Sequence, residues 1–302
     1  MKFDLSIIVP VKDESKNIDI LVKEIEKKII NIKKLQLFFV DDGSKDNSWE
    51  KIKLSKFLNK NHKVSGIKLN KNYGKDLALY SALDRVDSKY VAFYDCDMQF
   101  DLKYINMMYS TISKKNIDLV QGRKNKRDIK LSSKIFYKVF NYLTGFHFDG
   151  DTYLKMFTND AKNKILRYKE SNLFIRGVFK LINLKSFDIE VKISERKFGE
   201  SKYNFFKLSS LALNAITSFS NIPLRVISVI GIILIFISLL ILSRIIYIRF
   251  TYGLLDGLTT FYCLFILTSG FIITILGLIA EYISKIYEEI KMRPKFIIDD
   301  KK

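Results

Sequence analysis

Apolar runs and apolar residues at helical spacing alternate along the first part of the chain. Apolar runs predict strands at 5–9, 35–40, 64–69, 90–94 and 119–120, and the β-branched and aromatic run at 90–94 predicts a strand buried on both faces. Between them, residues that share one helical face predict helices at 15–29, 47–58 and 75–86. Strands separated by helices predict an α/β fold with a doubly wound, mainly parallel sheet.

Two long apolar stretches follow in the last third of the chain. Positions 226–243 and 257–280 contain no charged residue, and roughly 18 such residues suffice for a transmembrane helix. We predict two membrane-spanning helices, at about 226–247 and 257–280, that form a hairpin. The mostly apolar segment 205–224 before them predicts an amphipathic helix at the membrane interface.

The chain therefore divides into four predicted parts: a globular domain at 1–204, the interfacial helix at 205–224, the two spans within 225–281 and a tail at 282–302. The formal net charge is +19, and most of the excess lies before the spans. Because Lys and Arg mark the cytoplasmic side, we expect the domain and both termini in the cytosol. The charge favours anionic lipid headgroups, and we expect no nucleic acid because no nucleic-acid-binding motif accompanies it.

Acidic residues follow two of the predicted strands. Asp95-Cys96-Asp97 comes after strand 90–94, and Asp41-Asp42-Gly43-Ser44 ends strand 35–40. Ligands of open α/β sheets bind beyond the carboxyl ends of the strands. There the first motif could hold Mg²⁺ or Mn²⁺ against substrate phosphates, and the second could accept hydrogen bonds from a nucleoside. The alternatives are a solvated acidic loop and an ordinary turn that caps the next helix. No dinucleotide fingerprint or Walker A loop is present.

The number and the positions of the cysteines argue against a disulfide and against a metal site built from thiolates. The chain has two cysteines. Cys96 lies inside the acidic motif and Cys263 inside the second apolar stretch, so neither a disulfide nor a thiolate metal site is expected.

An ordered set of motifs resembles the inverting glycosyltransferases of family 2, and more closely those that act on polyprenyl phosphates. These include bactoprenol glucosyltransferases and, more distantly, dolichol-phosphate mannose synthase. The motifs are Ser6-Ile7-Ile8-Val9-Pro10 with Glu14, the two acidic motifs, Asp118 to Arg123, Arg176-Gly177, Arg196 to Tyr203, and Glu281 to Pro294. The resemblance covers nearly the whole chain and implies a GT-A-like fold.

The resemblance also implies roles for individual residues. The nucleoside pocket would be lined by Pro10, Glu14, Val40 and Asp42, with Asp95 and Cys96 completing the nucleotide-sugar site. Asp97 would bind Mg²⁺ or Mn²⁺, with Asp95 and Gln99 beside it. Diphosphate or acceptor phosphate would be contacted by Arg123, Arg196 and Lys202. Asp151 would be the acceptor-side carboxylate, with Asp149 as the alternative. Catalysis would thus depend on Asp151, Asp97, Arg196 and Lys202.

The lipid acceptor is expected near apolar and aromatic residues at 135–143. Lys134 and Lys138 flank them and suit an anionic headgroup, although the aromatics could equally pack on the sheet. Departures from the family pattern are Lys12 or Asp13 where Asn is usual, and Ala280 where Gly is common. Gly231, Gly270 and Gly277 permit close helix contacts, so a homo-oligomer is compatible with the sequence.

The expected reaction is inverting transfer of a sugar from a nucleotide-diphosphate sugar to undecaprenyl or another polyprenyl phosphate, at the cytosolic face of the cell membrane. UDP-glucose and UDP-N-acetylglucosamine are the favoured donors, and the product would serve cell-envelope glycosylation. The alternatives are an inactive nucleotide-binding membrane scaffold and a transferase with a sugar or glycolipid acceptor. A processive polysaccharide synthase is disfavoured because its Gln-x-x-Arg-Trp signature is missing and Trp49 is the single tryptophan.

Overall fold

The computed structural model describes residues 1–125, 150–170, 173–193 and 258–302, together with Lys138, Asn141 and scattered positions between 229 and 251. The chain forms two compact units. The first consists of Met1–Asn141, Phe146–Leu208 and Pro294–Lys302, and the second of Tyr142–Gly145 and Ser209–Arg293. The interfacial helix predicted at 205–224 lies outside the described residues.

An eight-stranded sheet forms the centre of the first unit. Its strands are β1 (Phe3–Val11), β2 (Leu35–Asp41), β3 (Lys63–Leu69), β4 (Ser88–Phe93), β5 (Leu119–Lys124), β6 (Asp151–Thr158), β7 (Ser186–Val191) and β8 (Ile298–Lys301). Their order is β7-β5-β6-β4-β1-β2-β3-β8. Four neighbouring pairs are parallel, whereas β6 is antiparallel to both of its neighbours and β8 is antiparallel to β3. The predicted mainly parallel α/β sheet is confirmed.

Helices cover both faces of this sheet. They are α1 (Ser15–Lys28), α2 (Ser48–Leu54), α3 (Lys75–Leu83), α4 (Lys103–Lys114), α5 (Asn159–Ile165) and α6 (Ile175–Leu181). One core joins the sheet to α1, α2 and α4, and includes Leu21, Ile52 and Ile105. The other joins it to α3, α5 and α6. Burial on both faces explains why five of the seven residues of β2 are apolar.

Strand β1 extends through Pro10, where the sequence predicts its end. The pairing of β1 with β4 stops at Ile8 and Phe93, and Ile8 O accepts the next hydrogen bond, from Tyr94 N. The backbone nitrogen of Pro10, like that of Ile8, faces the β4 side of β1, but β4 has no paired residue opposite Pro10. The N–H that proline lacks is therefore not needed for a hydrogen bond of the sheet. The strand can therefore continue to Val11 beside β2.

The second unit contains α7 (Leu258–Ile290), a helix of 33 residues. It includes the predicted span 257–280 from Leu258 onward and continues ten residues farther. Within the described part of the chain, one helix segment, Thr268–Ile290, is long and apolar enough to cross a membrane, with a mean hydropathy of 1.5. The described positions between 229 and 251 are helical. The rest of the first predicted span lies outside the described residues.

Candidate functional site

The loops that follow β1 and β2 are joined side by side at the carboxyl edge of the sheet. Asp13 N donates to Ser44 Oγ at 2.9 Å, and Lys45 N returns a bond to Asp13 Oδ1 at 2.7 Å. Glu14 N donates to Ser48 Oγ at 3.0 Å. Asp13 has a positive φ of 54°, a conformation that Asp tolerates better than most residues. These hydrogen bonds hold the loops after β1 and β2 together along the carboxyl edge of the sheet.

Asp41 and Asp42 are both buried, but they have different partners. Asp41 Oδ1 accepts from Ser44 N at 2.7 Å, whereas its Oδ2 is buried without a hydrogen-bond partner among the described residues. Asp42 accepts from Tyr73 N at 2.7 Å and from Gly74 N at 2.9 Å, one bond to each oxygen. Desolvation raises the pKa of both carboxyls, and these hydrogen bonds partly oppose the rise.

The loop after β4 presents the second acidic motif. Met98 has a positive φ of 51°, so the chain turns sharply after Asp97, whose Oδ1 accepts from Gln99 N at 3.3 Å. Asp95 Oδ1 forms an ion pair with Lys75 Nζ at 2.5 Å. Cys96 is buried in the core, and burial raises the pKa of its thiol. The thiol therefore packs as an apolar side chain, and the two carboxylates flank it.

The loop between β3 and α3 connects both acidic motifs. Asp42 holds its Tyr73 and Gly74 amides, and the next residue, Lys75, reaches Asp95. Gly43 enables the close approach, because a Cβ at its φ of +65° would lie 2.6 Å from the Lys71 backbone. The structure thus brings the ends of β2, β3 and β4 together, as the strand-end argument predicts for β2 and β4.

Asp151 begins β6 and is not open to solvent. Its Oδ1 accepts from the fully buried Lys155 Nζ at 2.7 Å, and Lys155 Nζ also donates to Gln121 Oε1 at 2.9 Å. Gln121 Nε2 in turn donates to Asp188 Oδ1, and Asp188 Oδ2 lies 2.9 Å from Arg123 Nε. Desolvation lowers the pKa of Lys155, although the Asp151 charge opposes this. The five side chains form one connected polar network across β5, β6 and β7.

The other predicted site residues divide into those that the structure describes and those that it does not. Pro10 and Val40 are direct register partners in β1 and β2, and Glu14 Oε2 accepts from Asn17 Nδ2 at 2.6 Å. Lys138 is helical and exposed. Arg196, Lys202, Lys134 and Asp149 lie outside the described residues, so their roles remain predictions.

Comparison with known proteins identifies the family. The sequence model of the family described as "Glycosyl transferase family 2" matches residues 6–180, which is more than half of the chain. This chain belongs to glycosyl transferase family 2. The enzyme is 29% identical to the undecaprenyl-phosphate 4-deoxy-4-formamido-L-arabinose transferase of Proteus mirabilis, over 97% of this chain and 92% of that protein. It is 31% identical to the uncharacterized glycosyltransferase YkoT of Bacillus subtilis, over 91% and 82%.

A solved structure resembles this glycosyltransferase in fold. It is glucosyl-3-phosphoglycerate synthase from Mycobacterium tuberculosis, determined with Mn²⁺, uridine-diphosphate-glucose and phosphoglyceric acid. The TM-score is 0.50 at 13% identity, covering 71% of this chain and 78% of the other. At that identity the likeness supports the GT-A-like sheet architecture, and it says nothing about individual residues.

The donor atoms of the β4 loop suit a hard divalent cation. In the described part of this glycosyltransferase, no three His, Cys, Asp or Glu side chains converge as a closed metal site. Mg²⁺, however, is usually held by one or two carboxylates together with substrate phosphates. The Asp97 carboxylate and the Gln99 amide offer oxygen donors for such a cation, and the Asp95 carboxylate, which pairs with Lys75, is a third donor beside them. The residues therefore fit a metal that arrives with a diphosphate.

Sequence reasoning missed several side chains at the site, among them Lys75, Lys155 and Tyr153, whose ring centroid lies 3.9 Å from Lys75 Nζ. Lys75 could have been found, because Gly74-Lys75 opens the helix after β3 and the carboxyl ends of parallel strands share one edge. Tyr153 and Lys155 could not, since the sequence does not predict β6 as a strand of the same sheet. Their positions depend on an antiparallel pairing that inserts β6 between β4 and β5.

Proposed function

We propose that this glycosyltransferase transfers a sugar from a nucleotide-diphosphate donor to polyprenyl phosphate, with inversion, at the cytosolic face of the membrane. The observation that supports this proposal most directly is that the similarity to the P. mirabilis undecaprenyl-phosphate transferase spans 97% of the chain. That extent includes the apolar region as well as the sheet unit. A soluble acceptor would not require long apolar stretches, whereas a polyprenyl chain resides in the bilayer.

The favoured donors are UDP-glucose and UDP-N-acetylglucosamine, and the relative's name adds 4-deoxy-4-formamido-L-arabinose as a further candidate sugar. Support for a nucleoside pocket comes from Asp41 Oδ2, a buried acceptor without a hydrogen-bond partner among the described residues. Unpaired buried acceptors are costly, and an N–H or O–H of the nucleoside would satisfy this one. In this proposal Asp41 binds the nucleoside, while Asp42 shapes the pocket through the β3–α3 loop.

Asp97, with Asp95 and Gln99 beside it, would hold Mg²⁺ or Mn²⁺, and the fold neighbour solved with Mn²⁺ and uridine-diphosphate-glucose is consistent with this. When bound, the metal supplies Lewis-acid stabilisation of the departing nucleoside diphosphate. Arg196 and Lys202 are proposed to donate charge-assisted hydrogen bonds to the same phosphates. Negative charge that develops on the leaving oxygen would thus be met by fixed positive charge.

The acceptor places little demand on a general base. A phosphomonoester has a second pKa of about 6, so its oxygen is largely ionised at neutral pH. Asp151 is buried, and its Oδ1 already accepts a hydrogen bond from Lys155 Nζ at 2.7 Å. We therefore assign Asp151 an orienting role, in which it fixes the network that ends at Arg123.

The path of the chain supports two membrane crossings. Strand β8 pairs with β3 in the same sheet, so the chain leaves the first unit before the apolar region and returns to it at Pro294. If that sheet lies on one side of a membrane, the number of crossings between must be even. One crossing by α7 therefore requires a second, and the apolar stretch at 226–247 is the natural partner.

The decisive experiment uses membranes that contain the protein, polyprenyl phosphate and labelled sugar nucleotides. We expect label from one donor in a chloroform-extractable product that mild acid cleaves, dependent on Mg²⁺ or Mn²⁺. Asp97→Ala should reduce the rate at least about a hundredfold, typical for loss of one strong transition-state contact. Label in no lipid product with any donor would favour the scaffold, and label in a glycolipid stable to mild acid would indicate a different acceptor.

A further inference from the structure

Lys75 occupies a defined place between the β4 loop and β6. Its Nζ lies 2.5 Å from Asp95 Oδ1 and 3.9 Å from the centroid of the Tyr153 ring. Both ion-pair side chains are mostly shielded, with 26% and 22% of their surface exposed. An ammonium that touches a carboxylate and an aromatic face is held electrostatically from two sides. The side chain is therefore more ordered than a surface lysine.

The tyrosine that holds Lys75 is itself fixed. Tyr153 OH donates to Asp76 Oδ2 at 3.1 Å, and Asp76 Oδ1 accepts from Ile175 N at 3.1 Å. The guanidinium carbon of Arg176 lies 4.7 Å from the centroid of the same tyrosine ring. These contacts connect the first turn of α3 to β6 and α6. The ammonium of Lys75 is consequently preorganised before any ligand binds.

We propose that Lys75 binds the donor's diphosphate and acts there as a built-in counter-ion that competes with the divalent cation for Asp95. This inference rests on the proposed function, because it assumes that a diphosphate binds beside Asp97. An ammonium has three N–H donors, and the ion pair with Asp95 uses one. A diphosphate oxygen near the β4 loop lies within the reach of such a group, and its negative charge adds to the attraction.

The proposal makes opposite predictions for the two ligands. Removal of the Lys75 charge takes a cation away from an anionic ligand, so metal-free diphosphate should bind more weakly. The same change leaves Asp95 uncompensated and removes repulsion from the metal, so Mn²⁺ alone should bind more tightly. At the effective dielectric of a partly buried site, each change is on the order of tenfold. Mere distortion of the loop would weaken both.

The test uses the purified full-length protein in detergent, with Lys75→Met as the variant. Lys71→Met is the matched control, since Lys71 lies in the same loop with its Nζ 5.1 Å from the Tyr73 ring centroid, and it is exposed. Mn²⁺ affinity is measured from the electron paramagnetic resonance signal of the free ion. Affinities for UDP, GDP, CDP and dTDP without metal are measured by calorimetry, and thermal unfolding confirms that each variant is folded.

We expect Lys75→Met to weaken the best-binding nucleoside diphosphate about tenfold and to tighten Mn²⁺ about tenfold, while Lys71→Met changes either within about twofold. Unchanged affinities in Lys75→Met, or weaker binding of both ligands, would overturn the inference and leave the proposed function intact. If the wild-type protein binds none of the four nucleoside diphosphates, with or without Mn²⁺, the proposed function fails as well.

Discussion

Lys155 is fully buried in β6, where it donates to Asp151 and to Gln121. Burial of a cation is tolerated when an anion and further acceptors satisfy it. Replacement with Met would leave the Asp151 carboxylate buried without its counter-ion. Breaking a buried pair in this way costs roughly 3–5 kcal/mol. We therefore expect Lys155→Met to lower the melting temperature by roughly 6–20 °C, measured by thermal unfolding in detergent.

The double variant Asp151→Asn with Lys155→Met provides the control, because it removes both charges. Most of the lost stability should return, and the difference between the double and single variants measures the coupling of the pair. A melting temperature for Lys155→Met equal to wild type would show that the pair does not stabilise the fold. Asp151→Asn alone, assayed for turnover, tests the orienting role: near-wild-type turnover would show that the carboxylate charge is dispensable.

Residue types at the site could be inferred from the sequence, but their pairings could not. The acidic motifs at Asp41 and Asp95 were located because predicted strands end there, and parallel strands place those ends on one edge. Which oxygen faces which donor depends on tertiary contacts. Asp42 illustrates this, since its partners Tyr73 and Gly74 lie 31 and 32 residues farther along the chain. Periodicity carries no information about such contacts.

At the scale of elements, β8 completes the sheet beside β3. Gly66 and Lys302 exchange backbone hydrogen bonds, and Trp49 Nε1 donates to Asp300 Oδ2 at 2.8 Å. Lys302 Nζ donates to Ile52 O at 2.5 Å, at the C-terminal end of α2, where a cation is favourable. Phe296 and Ile298 pack against the core on the α3 side of the sheet. A strand of mixed charge at a sheet edge also shields β3 from pairing with other chains.

Deletion of Pro294–Lys302 should therefore destabilise the first unit by roughly 3 kcal/mol, through the loss of two partly buried apolar side chains. The melting temperature should fall by roughly 6–12 °C. Trp49→Phe, which keeps a six-membered aromatic ring but loses the pyrrole ring with its N–H, should cost at least about 1 kcal/mol. Asp299→Asn is the control: it changes the exposed neighbour of Asp300 and should stay within about 0.5 kcal/mol. Equal stability of the deletion variant would show that β8 is dispensable.

The central strands were predictable because each is an apolar run buried on both faces. Strand β8, with the sequence Ile-Asp-Asp-Lys, offers no such pattern, since an edge strand leaves alternate residues in solvent. Strand β6 starts with Asp151 and carries Lys155 in its interior. These charged residues interrupt the apolar run by which a buried strand is recognised in a sequence. Both failures arise where tertiary contacts, rather than the hydrophobic pattern, determine the strand.

At the scale of the whole molecule, the first unit is built from both ends of the chain. Its sheet begins at Phe3 and is closed by β8 after the apolar region. The edge at β3 can be covered only once the last nine residues have been synthesised. Completion of the sheet therefore follows synthesis of the apolar region, because both apolar stretches precede Pro294 in the chain.

The proposed pair of crossings can be tested by cysteine labelling. Asp256→Cys lies between the two apolar stretches and Asp299→Cys lies in β8, each introduced after Cys263→Ala. A membrane-impermeant maleimide should label Asp256→Cys in intact cells, and should label Asp299→Cys only in inside-out vesicles. Cys96 is buried and should contribute little background. With two crossings, the second crossing separates Asp256 from Asp299, so the two positions must face opposite sides, and β8 returns to the side on which the sheet lies. Labelling of both positions from the same side would rule out the hairpin.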